Sequence, residues 1–125
     1  MGNLDCLFCE LPDSEILINN DLCLARWDKF PVSPGHLLII PKRHFESIFD
    51  ATVEEHQAFW DLIIKGKELI DNEHNPDGFN IGVNDGQAAG QSIFHVHIHM
   101  IPRYVGDVEE PLGGVRGIVP KKQKY

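Results

Sequence analysis

The stretch His95-Val96-His97-Ile98-His99 limits this chain more than any other feature. Three histidines alternate with apolar residues, and Ile93-Phe94 before and Met100-Ile101 after extend the apolar run. Successive side chains of a strand point to opposite faces. The spacing therefore predicts a half-buried strand. Its imidazoles share one face, and Phe94, Val96, Ile98 and Met100 pack on the other. A merely solvated face would carry mixed Thr, Lys and Glu. Three groups that titrate near neutrality and can act as base, nucleophile or ligand point to chemistry instead.

The rest of the chain supplies the sheet and helix such a strand needs. Glu15-Ile18 and Leu22-Trp27 flank Asn19-Asn20-Asp21 and read as a hairpin. Leu37-Leu38-Ile39-Ile40 reads as a buried strand stopped by Pro41. Thr52 and Glu55 form a capping box ahead of Val53, Phe59, Leu62, Ile63, Leu69 and Ile70, predicting a long helix to about Asn72 that Gly66 weakens. Asn75-Pro76-Asp77-Gly78 turns the chain, and Phe79–Asn84 alternates as a strand that pairs antiparallel with the histidine strand. The expected class is α+β: an antiparallel sheet of about five strands, one long helix and an extended tail from Pro102. With 125 residues, a single domain spanning 1–125 is expected.

Charge and composition exclude several functions. A net charge of −8 disfavours a binder of long nucleic acid, though not of one nucleotide in a locally positive pocket. Apolar runs are strand-sized, so no membrane partner is expected. Met1-Gly2-Asn3-Leu4-Asp5 lacks a signal-peptide pattern. The odd cysteine count (Cys6, Cys9, Cys23) fits reduced thiols in a cytoplasmic setting. Cys6-Leu7-Phe8-Cys9 alone is ambiguous between half a zinc site, a redox pair and coincidence; zinc is preferred if two more ligands exist elsewhere.

Same-face residues on a strand lie about 6.6 Å apart, and the outer two of three about 13 Å. Three histidines in line therefore do not converge on one metal, and at least one must do other work. A neutral imidazole is a good nucleophile toward phosphorus and a proton carrier near pH 7. Gly86, Gly90, Gln91 and Ser92, just ahead of the histidines, offer backbone N–H groups and a hydroxyl as a phosphate cradle.

The segment from Val83 through the glycine loop to His95-Val96-His97-Ile98-His99-Met100-Ile101 resembles the histidine triad (HIT) signature. Pro34-Gly35-His36-Leu37-Leu38-Ile39-Ile40-Pro41-Lys42 resembles that family's other fixed block. The resemblance implies nucleotidyl transfer to water through a covalent intermediate. His97 would be the nucleophile on the α-phosphorus of a purine nucleotide or dinucleotide conjugate. His99 would contact the phosphate and Ser92 a phosphate oxygen or the leaving group, with His36 near the triad. Asp28 would bond the ribose hydroxyls, and Asn84, Gly90 and Gln91 would complete the substrate site. The first triad histidine, His95, would join Cys6, Cys9 and His44 around a structural Zn²⁺.

A homodimer with the long helix and a central strand at its interface is also implied. Many bacterial and archaeal relatives carry Arg where this chain has Leu112, which leaves Arg103 and Arg116 as candidate phosphate partners. The basic tail Lys121-Lys122-Gln123-Lys124 reads as a solvated terminus, and His56 and His74 as surface or packing residues. Three alternatives compete: a phosphorylase sharing the same site, a nucleotide-binding scaffold with little turnover, and a metal hydrolase built on the histidine face.

Overall fold

A computed structural model describes residues 5–125. Five strands form one antiparallel sheet: β1 (Ile18–Asn19), β2 (Cys23–Trp27), β3 (Leu37–Pro41), β4 (Gly78–Val83) and β5 (Ile98–Arg103). Their spatial order is β1-β2-β3-β5-β4, so the last two strands pair as expected and β4 lies at an edge. One helix, α1 (Val53–His74), crosses one face. The α+β expectation holds.

Local chemistry sets the element ends. Asn20 Oδ1 accepts from the backbone N–H groups of Leu22 and Cys23, turning β1 into β2, while its Nδ2 donates to Ala58 of α1. Thr52 Oγ1 accepts from Glu55 N–H and the Glu55 carboxylate accepts from Thr52 N–H, completing the capping box. Asn75, left-handed at φ 51°, ends the helix. Gly66 sits mid-helix for a packing reason: a Cβ there would stand 2.7 Å from Leu37 Cδ2. Glycine lets α1 lie close on the sheet, outweighing its propensity cost of about 1 kcal/mol.

Each sheet face has its own core. Phe59, Leu62, Ile63 and Ile70 of α1 pack on Ala25, Leu37, Ile39, Val96, Ile98 and Met100. Burying each of these larger side chains contributes about 1.5–3 kcal/mol. The opposite face carries Leu24, Leu38 and Ile40, covered by Phe8, Leu11, Ile16 and Ile93. The N-terminal Cys-x-x-Cys turn is thus folded against the histidine face.

Three expectations need correction. The histidine strand begins at Ile98, not before His95. β3 pairs with β5 through Ile39↔Ile98. The next partners would be Ile40 and Pro41, and Pro41 has no N–H to extend the ladder. The chain instead bends, with Val96 N–H donating to Phe45 C=O. Side-chain alternation survives from His95 onward, but Phe94 is exposed rather than packed. The tail is not extended either. Pro102 and Arg103 close β5, and short 3₁₀ turns follow at Gly114–Ile118 and Pro120–Lys122.

Candidate functional site

The bend sends the three histidines to different neighbours. His95 is fully buried at the Cys-x-x-Cys turn. Its Nδ1 lies 3.5 Å from both Cys6 Sγ and Cys9 Sγ and 3.1 Å from His44 Nδ1, which is 3.2 Å from Cys9 Sγ. A tetrahedral ion with bonds of about 2.0–2.3 Å separates its ligand atoms by about 3.3–3.8 Å, close to this set. His95 Nε2 donates to Pro41 C=O at 2.8 Å, which fixes the tautomer and leaves the Nδ1 lone pair aimed at the cluster. Burial also pushes the His95 imidazole below its ordinary pKa, keeping it neutral. Cys6, Cys9, His44 and His95 form a Cys₂His₂ set that fits a metal ion.

His97 and His99 line a cavity of about 350 Å³ on the same face. Their hydrogen bonds assign opposite tautomers. His97 Nδ1 faces His95 C=O at 3.0 Å. A carbonyl only accepts, so Nδ1 carries the proton and Nε2 keeps its lone pair. For His99 the assignment runs through His36. Val32 N–H donates to His36 Nδ1 at 3.1 Å, so the proton of neutral His36 is on Nε2. That Nε2 lies 3.0 Å from His99 Nδ1 and 3.3 Å from Asp28 Oδ2. His99 Nδ1 therefore accepts, and His99 carries its proton on Nε2. The rings of His97 and His99 are 5.1 Å apart, placing a lone-pair nitrogen beside an N–H donor.

Burial favours the neutral forms of His36 and His99. It lowers the His36 pKa, with Asp28 opposing. Burial, then the neighbouring His97 and His36, bring His99 down to about 4 against the opposing pull of Asp28.

Asp28, Asn84, Gly90 and Ser92, the residues that the resemblance assigns to the substrate, line the same cavity. The glycine loop is a closed turn: Gly86 and Gly90 both have positive φ, and Gly86 N–H donates to Gln91 Oε1. Gln91 is buried, with Nε2 donating to the carbonyls of Glu46 and Ile93, so its side chain braces the loop instead of facing the cavity. Arg103 is held by Asp107 and Asn80, and Arg116 by the carbonyls of Lys122 and Gln123, both away from the triad.

Sequence reasoning missed Phe8, whose ring packs edge-on against His97 with centroids 5.0 Å apart, and Arg26, buried at the cavity's far end. The alternation of β2 was the available signal for Arg26, since it shares a face with Leu24.

Residues 11–106 match the HIT domain, and the chain belongs to the HIT family. It is 40% identical over 103 residues to an adenylylsulfatase of Arabidopsis thaliana, covering 79% of this chain and 52% of that protein. It is 38% identical over 96 residues to a bis(5'-adenosyl)-triphosphatase of Dictyostelium discoideum, covering 77% and 64%. A zinc-bound histidine triad protein of Mycobacterium smegmatis has the same fold, with a TM-score of 0.73, 31% identity and coverage of 82% and 78%.

Proposed function

We propose that this chain, acting as one HIT domain, cleaves nucleotidyl conjugates at the α-phosphorus and transfers the nucleotidyl group to water. The observation that carries this reading is the pairing of a His97 Nε2 lone pair with a His99 Nε2–H donor on one cavity wall. In the first step His97 Nε2 attacks the α-phosphorus, forming an N–P bond as the bond to the leaving group breaks. The leaving group takes its electron pair and a proton from solvent or Ser92. In the second step water attacks phosphorus and gives its proton to solvent or back to Ser92, the N–P bond breaks with its electron pair returning to His97 Nε2, and a nucleoside monophosphate leaves. Splitting the displacement this way replaces one hard step with two easier ones.

His99 Nε2–H donates to a phosphate oxygen throughout, and its neutral form is secured by burial. Asp28 holds the Phe30 N–H through Oδ1, and its remaining lone pairs serve the ribose hydroxyls. Asn84 and Gly90 contact phosphate or ribose. Cys6, Cys9, His44 and His95 would hold a structural Zn²⁺, whose binding would stabilise the N-terminal turn that carries Phe8 against His97. Cysteines that form no disulfide among the described residues suit a reducing, cytoplasmic compartment. A homodimer forms through α1 and, in place of the central strand expected from the sequence, the edge strand β4, where exposed Trp60 and Ile81 line an apolar groove.

The test is to incubate the protein and His97→Ala with an adenosine phosphoramidate and with diadenosine tetraphosphate, with and without inorganic phosphate. AMP from the wild type alone, independent of phosphate, supports the hydrolase. ADP formed only with phosphate shows a phosphorylase, and binding without turnover shows a scaffold.

A further inference from the structure

Arg26 is buried, yet nothing in the proposed chemistry uses it. Its relative exposure is 6%, and it lines the same cavity as the triad. A guanidinium offers five N–H donors. Nε donates to Trp27 C=O, and Nη2 lies 2.9 Å from Glu15 Oε1 in an ion pair without an aligned hydrogen bond. Among the described residues, Nη1 has no hydrogen-bond partner. Among the described residues Glu15 Oε1 is the buried side-chain polar atom without a partner, so Nη1 is reached by solvent in the cavity, where an acceptor on a ligand can take the place of water.

Register places these donors. Arg26 pairs with Leu38, and Leu38 with His99, so the three stand in a row across β2, β3 and β5. Adjacent strands lie about 4.8 Å apart, so Arg26 is about 10 Å from His99 at the backbone. With its phosphate on His97 and His99, a nucleotide lays its base over Leu38 toward Arg26. Lys29 also lines the cavity, and its Nζ lies 3.6 Å from the Glu15 Oε1 that pairs with Arg26.

We infer that Arg26 is a specificity-determining residue that selects a 6-oxopurine base, guanine or hypoxanthine, over adenine. This rests on the nucleotidyl-transfer reading above. The O6 and N7 atoms of guanine both accept, which matches a guanidinium; adenine puts its N6 amino donor where O6 would be. The donor-rich end of the cavity faces an acceptor edge in one case and a mismatched donor in the other.

The test compares AMP and GMP binding by calorimetry, and turnover of adenosine and guanosine phosphoramidates, in the wild type, Arg26→Gln and Arg26→Met. The wild type is expected to favour the guanine compound by about tenfold or more in Kd and in kcat/KM. Arg26→Gln, whose amide pairs with adenine, is expected to erase or invert the ratio; Arg26→Met is expected to bring it near unity. Equal or stronger adenine binding by the wild type overturns the inference, as does a ratio unmoved in variants whose circular dichroism shows them folded. The Kd ratio holds even if neither conjugate is turned over; that result overturns the nucleotidyl-transfer reading alone.

Discussion

Two clusters among the described residues have the ligand-atom spacing of a metal site. Cys6, Cys9, His44 and His95 form one; Asp28, His36 and His99 form the other. In both, the ligand atoms lie within 4.8 Å of one another. They differ in what the backbone does to a histidine. Pro41 C=O takes the N–H of His95, so a lone pair faces the first cluster. Val32 N–H occupies the lone pair of His36, so an N–H faces the second. A proton stands where a cation would need a lone pair. Donor spacing therefore does not tell a metal site from a hydrogen-bond chain, whereas the polarity of the backbone group behind each ring does. The two thiols of the first cluster reinforce the contrast, being soft ligands suited to zinc.

The largest expected effect tests the chemistry between the clusters. His97→Ala should lose about 10⁴-fold or more in kcat while keeping its circular dichroism spectrum. Residual activity above a tenth of wild type would remove His97 as nucleophile. Breaking the first cluster comes next. Cys9→Ala, or chelation of the intact protein, should lower unfolding stability by several kcal/mol in urea titrations. Unchanged stability would mean that the turn is held by Phe8 and Leu11 packing alone.

Breaking the second cluster should act on catalysis instead. His36→Ala removes the proton that fixes His99 and should lower kcat about 10²-fold with little change in KM or in metal content. Loss of bound zinc in this variant would contradict the separation of the clusters. Metal analysis of the wild type should give one equivalent per chain; a second, equally tight equivalent would show that a cation can displace the His36 proton.

The smallest effect is a pH slope. Unfolded histidine takes up its proton near pH 6.5, and folded His99 only near 4. Between those values the unfolded chain binds a proton that the folded chain does not. Stability should thus be flat above pH 6.5 from this group and fall by on the order of 3 kcal/mol as pH drops to 4. His36, shifted the same way by burial, adds to the slope. Urea unfolding of His99→Asn across this range should show a shallower fall; an unchanged slope would exclude His99 as a source.

Much of the scaffold was legible because its signals are local. The Thr52–Glu55 capping box and the apolar spacing that follows specify α1, and Leu37–Ile40 specifies β3 without reference to any other part of the chain. The order of strands, the bend before Ile98 and the coiled tail were not legible. Each depends on a distant partner: the ladder fails at Pro41, and the tail turns close on the Arg116 and Gln123 contacts. The site divides in the same way. Asp28, His36, Asn84, Ser92 and the triad carry recognisable chemistry in a recognisable order. Gln91 looked like a cradle residue and is a brace, because a glutamine in a glycine loop reads alike in either role.

By itself the sequence determined which residue types alternate, His95, His97 and His99 with Val96, Ile98 and Met100, an alternation the chain keeps although regular strand begins only at Ile98. Tertiary structure decided what each imidazole does. The three rings are chemically identical in the chain, and only the carbonyl of Pro41, the carbonyl of His95 and the amide of Val32, brought in by folding, fix where each carries its proton.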